Sequence, residues 1–179
     1  MKNLRREPEK SGQWDAARYS KEGGRSVFVV VAFLLFGGCK CADKREEDLA
    51  RLPRASGTLQ DQLAAEAAAR PPDTGTLEAL TASLTKEGIT FNAPRQGFGR
   101  KLLATYCASA DSTSGMIVTV CEYPSPEQAS RGEAEAKIIG AQLAGFQSRT
   151  SKKSVLQIVA RSDTPPEQVA KVLSIFEGL

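Results

Sequence analysis

Residues Leu102 to Tyr123 read "LLATYCASADSTSGMIVTVCEY", and the fold turns on how this stretch pairs with itself. Two runs of apolar and β-favouring residues, Leu102–Ser109 and Met116–Tyr123, flank "ADSTSG", whose small polar residues favour a turn. The spacing predicts an antiparallel hairpin pivoting at position 114, which sets Cys107 opposite Cys121. In that register Ala108 faces Val120 and Ala110 faces Val118 on one side, with Leu102 and Ala104 extending it. Ser109, Thr119, Thr105 and Tyr123 share the other side with the two cysteines, because side chains alternate along a strand.

Working outward, Leu77, Leu80 and Leu84 recur at helical spacing and Gly88 stops the run. Ile89–Asn92 is expected as a short strand ended by Pro94. After the hairpin, Ser125 is placed to cap a helix with Pro126 at its first position, where a missing N–H costs nothing. Ala136, Ile139, Leu143 and Phe146 mark its expected buried face. Ser154–Arg161 reads as a further strand. Thr164-Pro165-Pro166-Glu167 opens a last helix with Val169, Val172, Leu173 and Phe176 on one side. The element order is α, a weak β, β, β, α, β, α. A right-handed crossover through the long helix would make its flanking strands parallel. The expected fold is therefore α+β, a small two-layer sandwich with a mixed three- to four-stranded sheet, over residues 76–179. That length holds one modest core and not two lobes closing on a ligand.

Ahead of this domain, residues 39–75 change character twice. Asp43–Leu52, "DKREEDLARL", is highly charged, and Leu59–Arg70, "LQDQLAAEAAAR", is an alanine-rich helical stretch with little apolar area to bury. Pro71, Pro72 and Gly75 close the segment as a linker would. The segment reads as a tether, with Leu59 and Leu63 able to seat the helix on a partner or on the domain itself.

Further upstream, Val27–Phe36 is a run of ten apolar residues. It is about half the roughly 20 residues that span a bilayer and fits the core of a signal peptide. Lys2, Arg5, Arg6, Lys10, Arg18, Lys21 and Arg25 precede it, and the small residues Gly37 and Gly38 follow. The segment Leu35-Phe36-Gly37-Gly38-Cys39 resembles the lipobox of bacterial lipoproteins. The resemblance implies that residues 1–38 are a signal peptide cleaved after Gly38, and that Cys39 carries diacylglycerol with a fatty-acylated amino terminus. It further implies localisation to the cell envelope, facing the periplasm or exterior, and Lys40 is consistent with sorting to the outer membrane. The alternatives are a buried thiol ending a core strand and an uncleaved signal anchor.

Export bears on the cysteines, of which there are four: Cys39, Cys41, Cys107 and Cys121. An oxidising compartment would join Cys107 to Cys121 as a disulfide, closing a loop that chain entropy values at about 3 kcal/mol. Two unpaired strand thiols are the competing reading. Metal binding is weaker, since the chain contains no histidine and Cys39-Lys40-Cys41 is too tight. Cys41 is left over.

The net charge of +3 belongs to the export segment, since residues 39–179 hold seventeen basic and seventeen acidic side chains. Nucleic-acid binding is not expected. Without histidine, Ser-His-Asp and Cys-His hydrolysis and zinc hydrolysis of the usual kind are closed. Glu122, Glu127, Glu133 and Glu135 cluster, but acids at a helix start are explained by the dipole. "QGFGRK" at Gln96–Lys101 lacks the spacing of a phosphate loop and reads as a turn with Arg95 and Arg100 exposed.

These observations leave a membrane-anchored envelope lipoprotein whose non-catalytic domain binds a protein or wall component, with no cofactor. Two other readings stand beside it. One is a small-ligand or lipid-binding domain with a cavity lined by Ala104, Ala108 and Ala110. The other is an enzyme using carboxylates or an unpaired Cys107.

Overall fold

The hairpin forms in the expected register. Strands β2 (Tyr106–Asp111) and β3 (Ile117–Glu122) pair antiparallel with Cys107 opposite Cys121, Ala108 opposite Val120 and Ala110 opposite Val118. The computed structural model describes residues 40–179, so Cys39 and the apolar run ahead of it lie outside the described residues. Along that span run α1 (Lys40–Arg51), α2 (Leu59–Ala68), α3 (Leu77–Lys86), β1 (Arg95–Gly97) and a 3₁₀ turn (Gly99–Leu102), all ahead of the hairpin. After it come α4 (Pro126–Gly140), β4 (Phe146–Ser151), β5 (Ser154–Val159) and α5 (Pro166–Glu177). The class is α+β, and the five strands form one antiparallel sheet in the order β1-β2-β3-β5-β4.

Helix α3 shows why local sequence suffices for some elements. The Thr76 hydroxyl accepts the Ala79 N–H at one end. At the other, Gly88 takes φ +83°, so that the Ile89 N–H returns to the Leu84 carbonyl. Between them Leu77, Leu80 and Leu84 are at most 1% exposed, each contributing about 1.5–3 kcal/mol of burial. Ser125 caps α4 through the Gln128 N–H, as expected, while α5 starts at Pro166 after Pro165 with no side-chain cap.

The sheet is not mixed and has five strands where three or four were expected. Phe146–Ser151 is a strand, not the tail of the preceding helix, and it turns back into β5 through Lys152 at φ +51°. The two strands expected to be parallel across α4, Met116–Tyr123 and Ser154–Arg161, instead pair antiparallel as β3 and β5, because β4 follows the helix and turns back into β5. Strand β4 itself runs parallel to β3 but is separated from it by β5. Strand β4 gave no hydrophobic alternation to read: its inner residues Ser148 and Thr150 are polar and donate hydrogen bonds to Glu133 of α4. The weak strand expected at Ile89–Asn92 is reduced to one bridge between Phe91 and Ser112, and pairing begins after Pro94 in β1.

The sandwich has three layers where two were expected, because both faces of the sheet are covered. Tyr106, Ala108, Ala110, Val118, Val120, Leu156 and Ile158 pack with the leucines of α3 and with Val169, Val172 and Phe176 of α5. On the opposite face Cys107, Cys121 and Val155 pack with Ala104, Tyr123 and Ala129 of α4. Ala104 and Leu102 thus belong to the cysteine face and not, as expected, to the face of Ala108 and Ala110, and all three alanines are packed core residues.

Helix α4 meets the sheet through small residues. Ala129, Gly132, Ala136 and Gly140 are buried, whereas Ile139 is 55% and Leu143 51% exposed, which corrects the expected face. A Cβ added at Gly132 would lie 2.1 Å from the Tyr123 hydroxyl, and one at Gly140 would lie 2.5 Å from the Phe146 ring. Close approach to two aromatic rings, and not bulk, selects the inner stripe. Gly132→Val is therefore expected to lower stability by about 1–3 kcal/mol through overpacking. Ile139→Ser should change it by less than about 0.5 kcal/mol, and denaturant unfolding of the two variants separates these outcomes.

Candidate functional site

The cysteine pair is built by the central hairpin and closed over by α4. The two Sγ atoms lie 2.04 Å apart, at disulfide distance, with their Cα atoms 4.1 Å apart across the strands. Cys107 is 2% and Cys121 0% exposed, beneath Ala129 and beside Val155 and Tyr123. The Tyr123 hydroxyl donates to the Leu102 carbonyl, which ties the 3₁₀ turn to the same cluster, and burial pushes that phenol well above its ordinary range. The register that the sequence specified thus brings the two cysteines together, inside the protein.

Three buried carboxylates hold residues 40–75 against the rest of the chain. Glu122, 1% exposed at the end of β3, accepts from Arg70 (Nε at 3.2 Å) and from the Thr74 hydroxyl at 3.1 Å. Arg70 also forks onto Glu78 with two bonds of 3.0 Å and stacks 4.2 Å above the Tyr106 ring. Those bonds hold Arg70 charged and draw Glu78 below the usual carboxylate range. Asp48 of α1, 3% exposed, accepts from Arg131 at 2.7 and 2.9 Å and from Gln128 at 3.1 Å. Glu66 of α2 accepts the Gly99 N–H at 2.9 Å, and Gln96 donates to the Leu63 carbonyl at 2.7 Å. Of the two seatings open to the alanine-rich helix, the described contacts are with the domain, made by Glu66 and the Leu63 backbone while Leu59 stays 58% exposed.

The remaining residues singled out from sequence fall in separate places. Arg95 is exposed and paired with Asp111, but Arg100 is half-buried, with one guanidinium nitrogen out of solvent and without a partner. The four clustered glutamates have different partners: Glu122 has Arg70, Glu133 has Lys137 and β4, Glu135 has Arg45, and Glu127 sits at the α4 cap with Ser125. Sequence reasoning missed Asp48, Arg70 and Glu122 as joints, since their partners lie 52 and 83 residues away and no local pattern announces them. Among the described residues, no group of three or more Cys, Asp or Glu side chains is placed to hold a metal ion. None of the described helices is long and apolar enough to cross a membrane.

The surface feature that stands out is an apolar end. Ile138 is 72% and Ile139 55% exposed at the last turn of α4, and Leu143 follows at 51%, while Ile117 at 41% lies in the last row of the sheet, Ile117–Val159–Phe146. An open cleft of about 470 Å³ between α5 and the ends of β4 and β5, lined by Ala144, Ala160, Val169 and Leu173, adjoins it.

No family model matches this chain, and no curated protein or solved structure does either.

Two outcomes follow for the joints. Arg70→Ala would leave Glu122 buried without its cation and is expected to cost about 3 kcal/mol, whereas Glu122→Gln, neutral and still bonded to Thr74, should cost less by the same denaturation assay. The hydrogen bond from Arg131 holds the Asp48 carboxyl below its ordinary range, so the folded state binds fewer protons there than the unfolded one. That contribution is full above the ordinary carboxylate range and is lost as pH falls through the lowered value. Amide protection in α1, taken relative to the intrinsic exchange rate at each pH, should fall on acidification, and Asp48→Asn should already show low protection at neutral pH.

Proposed function

We propose that the protein is a lipoprotein of the bacterial cell envelope, anchored by acylated Cys39, whose domain binds another protein or a wall component without catalysing a reaction. The observation that carries this reading is Gly37-Gly38-Cys39 standing directly after ten apolar residues and a basic region. A cysteine pair at disulfide distance in the sheet fits an oxidising compartment and supports the same reading. On this reading residues 1–38 are removed, and the mature chain is formally neutral. Because α1 starts at Lys40, the acylated residue adjoins the first helix, and the domain rides close to the bilayer instead of on a long stalk.

Intact-mass analysis of the protein purified from membranes is expected to show a chain beginning at Cys39 with its acyl groups. Such a chain would also lack tryptophan emission, since the one tryptophan is Trp14. Cys39→Ser should abolish both acylation and membrane partitioning. A native polypeptide that still begins at Met1 without acyl mass would overturn the anchor. Crosslinking in intact envelopes is expected to capture a protein or wall fragment, and no adduct across crosslinkers of several lengths would count against the binding role.

Oxidation is checked separately. The double variant Cys107→Ala/Cys121→Ala should lose about 3 kcal/mol of stability, and dithiothreitol should bring the wild-type protein close to it.

A further inference from the structure

Helices α1 and α4 run antiparallel, as two side-chain joints establish. Asp48 meets Arg131, and three residues earlier in α1 Arg45 meets Glu135, four residues later in α4. Continuing one step further, the first turn of α1 at Lys40 lies about 7 Å along the axis from Arg45, and Ile138 and Ile139 lie about 5–6 Å on from Glu135. At 100° per residue, Ile138 continues the stripe of Arg131 and Glu135 that faces α1. The end of α1 that leads from Cys39 and the exposed isoleucines of α4 therefore occupy the same end of the molecule.

That end is the apolar one. Of the six exposed large hydrophobic side chains among the described residues, three follow one another there: Ile138, Ile139 and Leu143. Scattered single apolar residues on a surface need no explanation, but a cluster does. Lys137 there is bound by Glu133 and Arg45 by Glu135, while Lys44 of α1 is exposed. Apolar area, and not a cluster of basic side chains, is what the three residues of α4 and its following turn offer.

We infer that Ile138, Ile139 and Leu143 seat in the bilayer surface beside the acylated Cys39, so that the domain is held by two points and in one orientation. The inference rests on the lipid-anchor reading above. A single acyl chain gives marginal, reversible attachment, and stable anchoring takes a second contribution. Additional chains on Cys39 supply most of it, and the apolar seat adds orientation, fixing which face of the domain looks away from the membrane. Attachment through this seat should depend little on anionic lipid or on salt.

A single-tryptophan probe tests it on the full-length gene product purified from membranes, because processing after Gly38 removes Trp14. Ile139→Trp protein is reconstituted into phosphatidylcholine vesicles with brominated acyl chains, and Ser130→Trp, near the opposite end of α4, is the control. The expected result is blue-shifted emission from the Ile139→Trp protein that the brominated lipid quenches, while the Ser130→Trp control stays red and unquenched. Adding phosphatidylglycerol or raising salt should not alter either. Vesicle-bound Ile139→Trp protein whose emission is red and unquenched would overturn the seat and leave the anchor intact. Blue-shifted but unquenched emission would also overturn it, since a second copy of the chain would then cover the patch. Protein that carries no acyl mass and does not bind vesicles would remove the anchor and, with it, this inference.

Discussion

Strand β3 is paired on both edges and buried on both faces, and this is the constraint from which the architecture follows. Its alternate side chains supply two separate cores: Val118 and Val120 on one side, Cys121 on the other. A strand that carries apolar side chains on both faces needs an apolar cover on each. The cover differs between the faces. The larger core takes leucines from α3 and branched and aromatic residues from α5, whereas the cysteine face admits a helix only at close range.

Close range dictates the composition of α4. Its inner stripe is Ala129, Gly132, Ala136 and Gly140, and the bulk at that interface comes from the sheet side, from Tyr123 and Phe146. The helix's larger apolar residues are pushed to the end, where the sheet stops beneath them. An exposed Ile139 is thus a consequence of which residues the sheet face can accommodate, and Ile138, on the side of α4 that faces α1, adjoins it.

The two N-terminal helices are attached by a different physics. Helices α1 and α2 bury little apolar surface, and their joints are buried carboxylates met by Arg131 and by the Gly99 N–H, with Arg70 just beyond α2 closing on Glu122. Desolvation offsets much of the attraction in such pairs, so they fix position and register more than they add stability. They convert a charged segment that has little reason to fold alone into a defined layer.

Sequence by itself determined the features that rest on neighbours in the chain. The hairpin register, with Cys107 against Cys121, follows from strand alternation and a turn of small polar residues. The α3 leucines and the Ser125-Pro126 helix start follow from periodicity and cap chemistry. Tertiary structure decided what depends on distant partners. Strand β4 forms because β5 offers it an edge and Glu133 satisfies its hydroxyls, although its own sequence carries no apolar alternation. The inner face of α4 is set by the rings it meets, and the seating of α1 and α2 by charges 52 and 83 residues apart. Local propensity encodes periodicity and caps within a few residues, whereas the complementarity of surfaces and the pairing of buried charges exist only once the chain has brought them together.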